Sequence, residues 1–403
     1  MFRNLSNRRT YLDYASLTPI DPRVSREVLK YSSRKYANPS SLYSEGVAAK
    51  KALAEARARV AGFIHAHPNE IIFTSGGTEA NGLALEGVAR VAVEGAGIVK
   101  PHVIISAIEH SSVMEVAKIL EKHGCEVTRI SIDSSGLVSL EGLKKALKEN
   151  TILVSIMTVN NEVGTIQPIR EIAKVIRQFK KMRTTSESKS SYPLFHTDAA
   201  QAATFMGLNM ENFGVDLLTL DASKVYGTRG VGCLYIKRGT PIQPIIYGGG
   251  QEAGMRSGTE NIPGIMGFAK ALELIGNETE KGIETTRLNE LRTMMIDGLK
   301  TIRSDIVVNG VVNSVIASQS HKAPHILNVS IPSIDNEFLL FQLDAAGVAC
   351  STKSSCLRDE DESYVLKAMG ADSKTSLRFS FGRFTKGHDI TRVLKIIRKV
   401  LDN

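Results

Sequence analysis

The chain has 403 residues, a formal charge of +8, 42% hydrophobic and 23% charged residues, and four cysteines: enough for two domains around one large core, and no disulfide framework. No apolar run is long enough to span a bilayer, and residues 1–16 lack the continuous apolar stretch of a signal peptide. The basic residues are spread through helices without interleaved aromatics, so the expectation is a protein of the reducing cytoplasm with no membrane, nucleic-acid or metal partner, its surplus charge a solvated face or an attraction for acidic proteins.

Residues 11–20 read as a short extended arm. Asp21-Pro22 starts an amphipathic helix to about Lys35, Asn38-Pro39-Ser40-Ser41 is a turn, and the segment from about Glu45 to Phe63 is a helix. Glu70 to Phe73 is a short strand running into Thr74-Ser75-Gly76-Gly77-Thr78-Glu79 and a helix to about Val93. Small residues between a strand and a helix leave backbone N–H groups at a helix N-terminus, a seat for an anion to which Thr78 adds a hydroxyl; many such turns bind nothing. Alternation continues with strands at Val103–Ser106, Glu126–Ile130 and Thr151–Met157. The helices between and after them start near His110, Ser139 and Ile169. This rhythm predicts an α/β fold, a mainly parallel sheet covered by helices. Residues 181–191 read as an exposed polar loop.

The central stretch runs from Phe195 to Gly232. One apolar run ends in Asp198 and a second, Val215 to Leu220, is closely followed by Lys224. Both residues then sit at strand ends, where open α/β sheets bind ligands. An acid and a lysine held apart in this way suit pyridoxal phosphate (PLP), which takes a lysine as a Schiff base and an acid as partner for its ring nitrogen. The pair alone fits an ordinary strand-end acid and exposed lysine better. A hairpin-like pair around Gly232 to Lys237 follows. A glycine-rich stretch, Tyr247 to Thr259, with lone Arg256, comes next and suggests close backbone approach. A long helical region from about Pro263 to Ile302 leads into a smaller α+β part. Its strands are near Ile306, Ile326 and Leu377, and its helices near Glu337, Tyr364 and Ile390. The predicted division is an arm at 1–20, a large cofactor-binding domain at 21–265 and a small domain at 266–403, with which residues 1–35 can pack.

In order along the chain stand Thr-Ser-Gly-Gly-Thr-Glu, Glu-His, Val-Asn-Asn-Glu-Val-Gly, His-Thr-Asp-Ala-Ala-Gln, Ser-Lys-Val-Tyr-Gly, Arg-Ser-Gly-Thr, Ser-Ser-Cys and Arg-Phe-Ser-Phe-Gly-Arg. This set resembles the cysteine desulfurases of NifS/IscS type, in the class V aminotransferase group of fold-type I PLP enzymes, over nearly the whole chain. The resemblance implies a seven-stranded-type sheet and PLP as cofactor. It also implies a homodimer that takes sulfur from L-cysteine, leaves L-alanine, and passes the sulfur through a cysteine persulfide to an acceptor or scaffold protein. By resemblance Lys224 holds PLP, Asp198 pairs with its ring nitrogen, and His110 stacks on the ring and shuttles protons. Asn160 and Gln201 lie near its phenolic oxygen. Gly77, Thr78 and Ser223 belong to the phosphate side, and Thr259 approaches the neighbouring subunit's cofactor. Arg378 binds the substrate carboxylate, for which a guanidinium fork is suited, with Asn38 and Asn160 on the substrate side. Cys356 takes the nucleophile position, and Cys350 stands where an aliphatic residue is usual.

Three departures stand out. The residues before Lys224 are Asp221-Ala222-Ser223 where the family has Ser-Gly-His, so a carboxylate lies near a phosphate dianion and repels it. Lys353 replaces a small residue before Cys356, and the following loop is acidic from Asp359 to Glu362, the two opposing each other at the thiol. A selenocysteine lyase, another class V aminotransferase or a non-catalytic scaffold homologue are the competing readings.

Overall fold

The fold of residues 9–183, 191–276, 278–311, 321–352 and 362–402 is described in a computed structural model. The chain opens with β1 (Thr10–Tyr11), α1 (Pro22–Ser33) and α2 (Ser44–Phe63). Alternation follows: β2 (Ile71–Thr74), α3 (Gly77–Glu94), β3 (His102–Ser106), α4 (Ser111–Lys122), β4 (Glu126–Ile130), α5 (Leu140–Ala146), β5 (Thr151–Ser155), α6 (Ile169–Arg183), β6 (Leu194–Asp198), α7 (Met210–Phe213), β7 (Leu217–Asp221) and β8 (Gly232–Ile236). The rest is α8 (Ile262–Glu273), α9 (Glu278–Ile302), β9 (Val307–Asn309), β10 (Ile326–Ser330), α10 (Asn336–Ala345), β11 (Val348–Ala349), α11 (Tyr364–Ala368), β12 (Ser376–Ser380) and α12 (Gly387–Leu401).

Seven strands form the main sheet in the order β2-β8-β7-β6-β5-β3-β4. The pairs β3–β4, β3–β5, β5–β6 and β6–β7 are parallel, while β8 runs against both neighbours. The segment from Gly232 to Lys237 is therefore one strand, and its hairpin partner is β7, just before Lys224. Every residue of β2, β3, β5 and β6 is buried, which is why these strands read as continuous apolar runs rather than alternating ones. Period two still sorts their side chains between faces. Ile104, Val154, Phe195 and Leu218 join one core, and Val103, Leu153, Leu194 and Leu217 the other. Each such buried aliphatic side chain contributes roughly 1.5–3 kcal/mol.

α8 lies in the first of these cores with α1 and α2; a Cβ at its Gly267 would come within 2.7 Å of Val28 on α1, so only glycine permits this crossing. A third core begins at Leu288 on α9 and is completed by β10, β12, α10 and α12. Its sheet is antiparallel, in the order β12-β10-β9. Leu12 of the arm is fully buried in this core, and β1 pairs in parallel with β11. The arm then crosses to the main sheet, where Thr18 N–H and Oγ1–H donate to the Ser223 carbonyl and Asp21 N–H to that of Tyr226. Among the described residues no helix is long and apolar enough to cross a membrane.

Candidate active site

The carboxyl ends of β2, β3, β5, β6 and β7 share one edge of the main sheet. The segments leaving that edge enclose a cavity of about 180 Å³, walled by Gly77, Thr78, Asn81, His110, Asp198, Gln201, Asp221, Lys224 and Arg378, with Ser16 and Asn161. Seven expected site residues, from Gly77 to Arg378, thus converge from five separate segments.

The acid is held as an acceptor. Asp198 ends β6; its Oδ1 accepts the Ala200 N–H at 2.9 Å and its Oδ2 accepts from Asn81 Nδ2 at 2.8 Å. The same Asn81 amide donates to Ser112 Oγ at 2.8 Å, and that hydroxyl meets His110 Nδ1 at 2.8 Å. His110 caps α4, its Nδ1 accepting the Ser112 N–H at 3.2 Å. Nδ1 is an acceptor in both contacts, so the neutral ring carries its proton on Nε2. Asp198 and His110 are thus joined through two side chains, one each from the neighbouring helices α3 and α4.

Behind His110 lies Glu109, fully buried. Burial pushes its carboxyl up to about 8; donors from Ser106 and the Met157 N–H oppose this and Asp198 adds to it. Burial thus favours its protonated form near neutral pH.

Lys224 ends a short 3-10 turn after β7, its Nζ donating to the Ser16 carbonyl of the arm at 2.5 Å. Gln201 is tied to the same arm: its Nε2 donates to the Ala15 carbonyl at 2.8 Å, and its Oε1 meets His325 Nε2 at 3.3 Å. Arg378 is 1% exposed. Its terminal nitrogens donate to the Asn161 carbonyl at 2.8 Å, Asp13 at 2.8 Å and Ser16 Oγ at 2.6 Å. Two buried polar atoms of this wall have no hydrogen-bond partner among the described residues, Asn81 Oδ1 and Arg378 Nε.

At the helix end, Gly76 takes φ +154°, a conformation open to glycine alone. Gly77 N–H, at the start of α3, donates to Asp221 Oδ2 at 2.9 Å, while Asp221 Oδ1 accepts the Ser223 N–H at 2.7 Å. Ser75 N–H donates to Glu79, whose carboxylate also holds Arg256 at 2.8 Å. Burial would raise the Glu79 carboxyl, but the bonds from Arg256 and Ser75 hold it below its usual range.

Four expected residues lie off this cavity. Asn160 is fully buried and organises its own turn, its amide donating to the Ile108 carbonyl and its Oδ1 accepting the Glu162 and Val163 N–H groups; Asn161 forms the wall instead. Ser223 bonds the arm and Asp221 through its backbone. Asn38 caps its own turn by accepting the Ser40 N–H. Thr259 lines a separate hollow with Arg256 and Gly258. Cys356, Lys353 and the acids from Asp359 to Asp361 lie outside the described residues. Cys350 packs at the edge of the small core, where burial, then Asp13, pushes its thiol up to about 12 against the pull of Arg378. Among the described residues no cluster of three His, Cys, Asp or Glu side chains is arranged to hold a metal ion.

Sequence reasoning missed Asn81, Ser112, Ser16 and Asp13. Asn81 sits one turn into a helix and Ser112 in the first turn of another, positions where polar residues are unremarkable, and only the contact between α3 and α4 gives them a role.

Residues 10–393 match the model of the aminotransferase class-V family. The cysteine desulfurase IscS of Dictyoglomus turgidum is 40% identical over 399 residues, covering 98% of this chain and 95% of that protein. Cysteine desulfurase IscS 1 of Archaeoglobus fulgidus is 38% identical, covering 97% of each. Among solved structures, a NifS-like protein superposes with a TM-score of 0.87 at 33% identity over 98% of this chain and all of that one. SspA in complex with cysteine gives 0.77 at 30% identity over 94% of this chain and all of that one. The enzymes of this group use PLP and act on L-cysteine. Motif order, the sheet edge on which the acid, the histidine, the lysine and the arginine meet, and similarity over the full length agree, and the chain belongs to the class-V aminotransferase family, within its NifS- and IscS-like cysteine desulfurases.

Proposed function

We propose that the protein is a PLP-dependent cysteine desulfurase that converts L-cysteine to L-alanine and leaves the sulfur as a persulfide on Cys356. The observation that carries this reading is the single cavity shared by Asp198, His110, Lys224 and Arg378. The residues fit the ring end of the cofactor: Asp198 is oriented by the bonds its oxygens accept and can take a ring N–H, with Lys224 on the same wall. When bound, PLP supplies the sink for electrons released at the substrate's Cα.

Every other part belongs to the chain. Arg378, which walls the cavity with its terminal nitrogens fixed by Asp13, Ser16 and Asn161, holds the substrate carboxylate. Lys224 Nζ takes the proton from substrate Cα as general base. His110, with its proton on Nε2, exchanges protons on the substrate side. Ala15 and Ser16 of the arm line the cavity. The Cys356 thiolate attacks the substrate sulfur. An S–S bond forms, the Cβ–S bond breaks, and the carbon fragment takes up a proton at Cβ, so alanine and a persulfide account for every atom. Assignment of Cys356 rests on its place in the ordered motifs and on the contrast with Cys350, whose raised thiol is a poor nucleophile at neutral pH.

A homodimer, transfer to an acceptor or scaffold protein and a cytoplasmic location belong to the same reading. The exposed side chains of Ile246 and Tyr247, beside the glycine-rich stretch that ends at Thr259, suit a face covered by a second copy. Domains divided at about residue 265 accompany it, with the substrate arginine on the small unit. The test is alanine release from L-cysteine in the presence of PLP. Lys224→Ala is expected to lower the rate by about 10²–10⁴-fold or more; an unchanged rate in that variant overturns the reading.

A further inference from the structure

The anion seat at the start of α3 is already filled by the chain itself. α3 has 18 residues and opens at Gly76-Gly77, where the backbone is free to approach a ligand. Yet the Gly77 N–H is bonded to the Asp221 carboxylate at 2.9 Å and the Ser75 N–H to that of Glu79 at 3.0 Å. Asp221 is fixed there by its second oxygen, which accepts the Ser223 N–H at 2.7 Å. The neighbouring cation, Arg256, is bound to Glu79 through two nitrogens. Two carboxylates and one guanidinium therefore stand at a helix end whose partial positive charge would otherwise favour an added anion. Asp221 also walls the cavity beside Gly77 and Thr78.

We propose that Asp221 is a built-in occupant of this seat, so that the chain gains little affinity from its cofactor's phosphate and holds the cofactor mainly through the ring end, at Asp198 and Lys224. A phosphate entering the cavity must either displace the carboxylate from the Gly77 N–H or lie against it, and two like charges a few ångströms apart oppose binding in either case. The consequence is a cofactor that exchanges readily and a low discrimination between phosphorylated and unphosphorylated pyridoxal derivatives. This inference rests on the proposed use of PLP.

The test is calorimetric titration of the full-length protein, dialysed free of cofactor, with pyridoxamine and with pyridoxamine 5'-phosphate. The two probes differ only in the phosphate, and neither carries an aldehyde to react with Lys224. The ratio of their dissociation constants isolates the phosphate's contribution. In the wild type the ratio is expected to be below about tenfold; in Asp221→Asn and in Asp221→Ser it rises by roughly tenfold or more. Asp221→Asn keeps the side chain's shape, so the test survives a folding defect in Asp221→Ser. Equal ratios in all three proteins overturn the inference and leave the proposed function standing. Failure of both probes to bind any of the three overturns the cofactor site itself, and the inference with it.

Discussion

Arg378 combines two duties that its burial makes hard to separate. Its pairing with Asp13, at 2.8 Å, anchors the arm, and the proposed function gives it the substrate carboxylate as well. Removing a buried ion-pair partner costs about 3–5 kcal/mol because the other charge is left without compensation. Arg378→Ala is therefore expected to show a large loss in denaturant midpoint. Arg378→Lys keeps the charge but loses the planar fork; the expectation is a rise in KM for L-cysteine of roughly tenfold or more with the protein still folded, measured by alanine release. A KM that stays put in Arg378→Lys removes the arginine from the substrate. The places of Asp198 and Lys224 were legible from sequence, because one closes a buried apolar run and the other stands just past a second; their roles came only from the resemblance. Asn81 was not legible, and Asp221 was flagged only through the resemblance, without its bond to Gly77. Their partners, Ser112 and Gly77, lie 31 and 144 residues away along the chain, and no local pattern reports such a contact.

Among the elements, the arm carries more than its sequence reading gave it, which was an extended segment able to pack with the small domain. Ten residues that read as a short extended segment turn out to hold three parts of the molecule together. Leu12 fills the small core, Ala15 and Ser16 wall the cavity, and Thr18 is bonded to the segment that carries Lys224. Period and turn chemistry reveal that such a segment is extended but not what it lies against. By contrast, β3, β4, β5 and α6 fall close to their expected bounds, since each is a plain apolar run or an amphipathic stretch between clear breakers. Leu12→Ala is expected to cost about 2–5 kcal/mol, read from urea unfolding, and to lower turnover as Ser16 loosens over Lys224. A loss well under 1 kcal/mol would mean that the arm is not docked in the small core.

At the scale of the whole molecule, buried titratable groups set a stability optimum. Burial lowers three histidines, His102 to about 4 and His196 and His325 to about 3; Lys148 adds to the effect on His102 and Arg378 to that on His325. Between these values and the ordinary histidine range the unfolded chain binds protons that the folded one does not, so their contribution is lost as pH falls below about 6.5. Glu109 acts in the opposite sense: raised to about 8, it stays protonated when folded, and stability falls as pH rises from about 4.5 toward 8. Three groups outweigh one below about 6.5, and of these four only Glu109 acts above it. Thermal melting should therefore peak near pH 6.5, and Glu109→Gln should flatten the decline between pH 6.5 and 8. A decline of unchanged slope in that variant would assign it to other groups.

The central claim is that the cavity at the sheet edge delivers the sulfur of L-cysteine to Cys356. The most direct test is one measurement on the full-length protein supplied with PLP and L-cysteine and no acceptor: alanine formed per subunit, alongside the intact mass of the protein. The expected result is about one alanine per subunit in the first turnover and a chain one sulfur atom heavier, the added atom mapping to Cys356 and absent from Cys356→Ser. Alanine released at the same rate by Cys356→Ser, or no alanine at any PLP concentration, would contradict it.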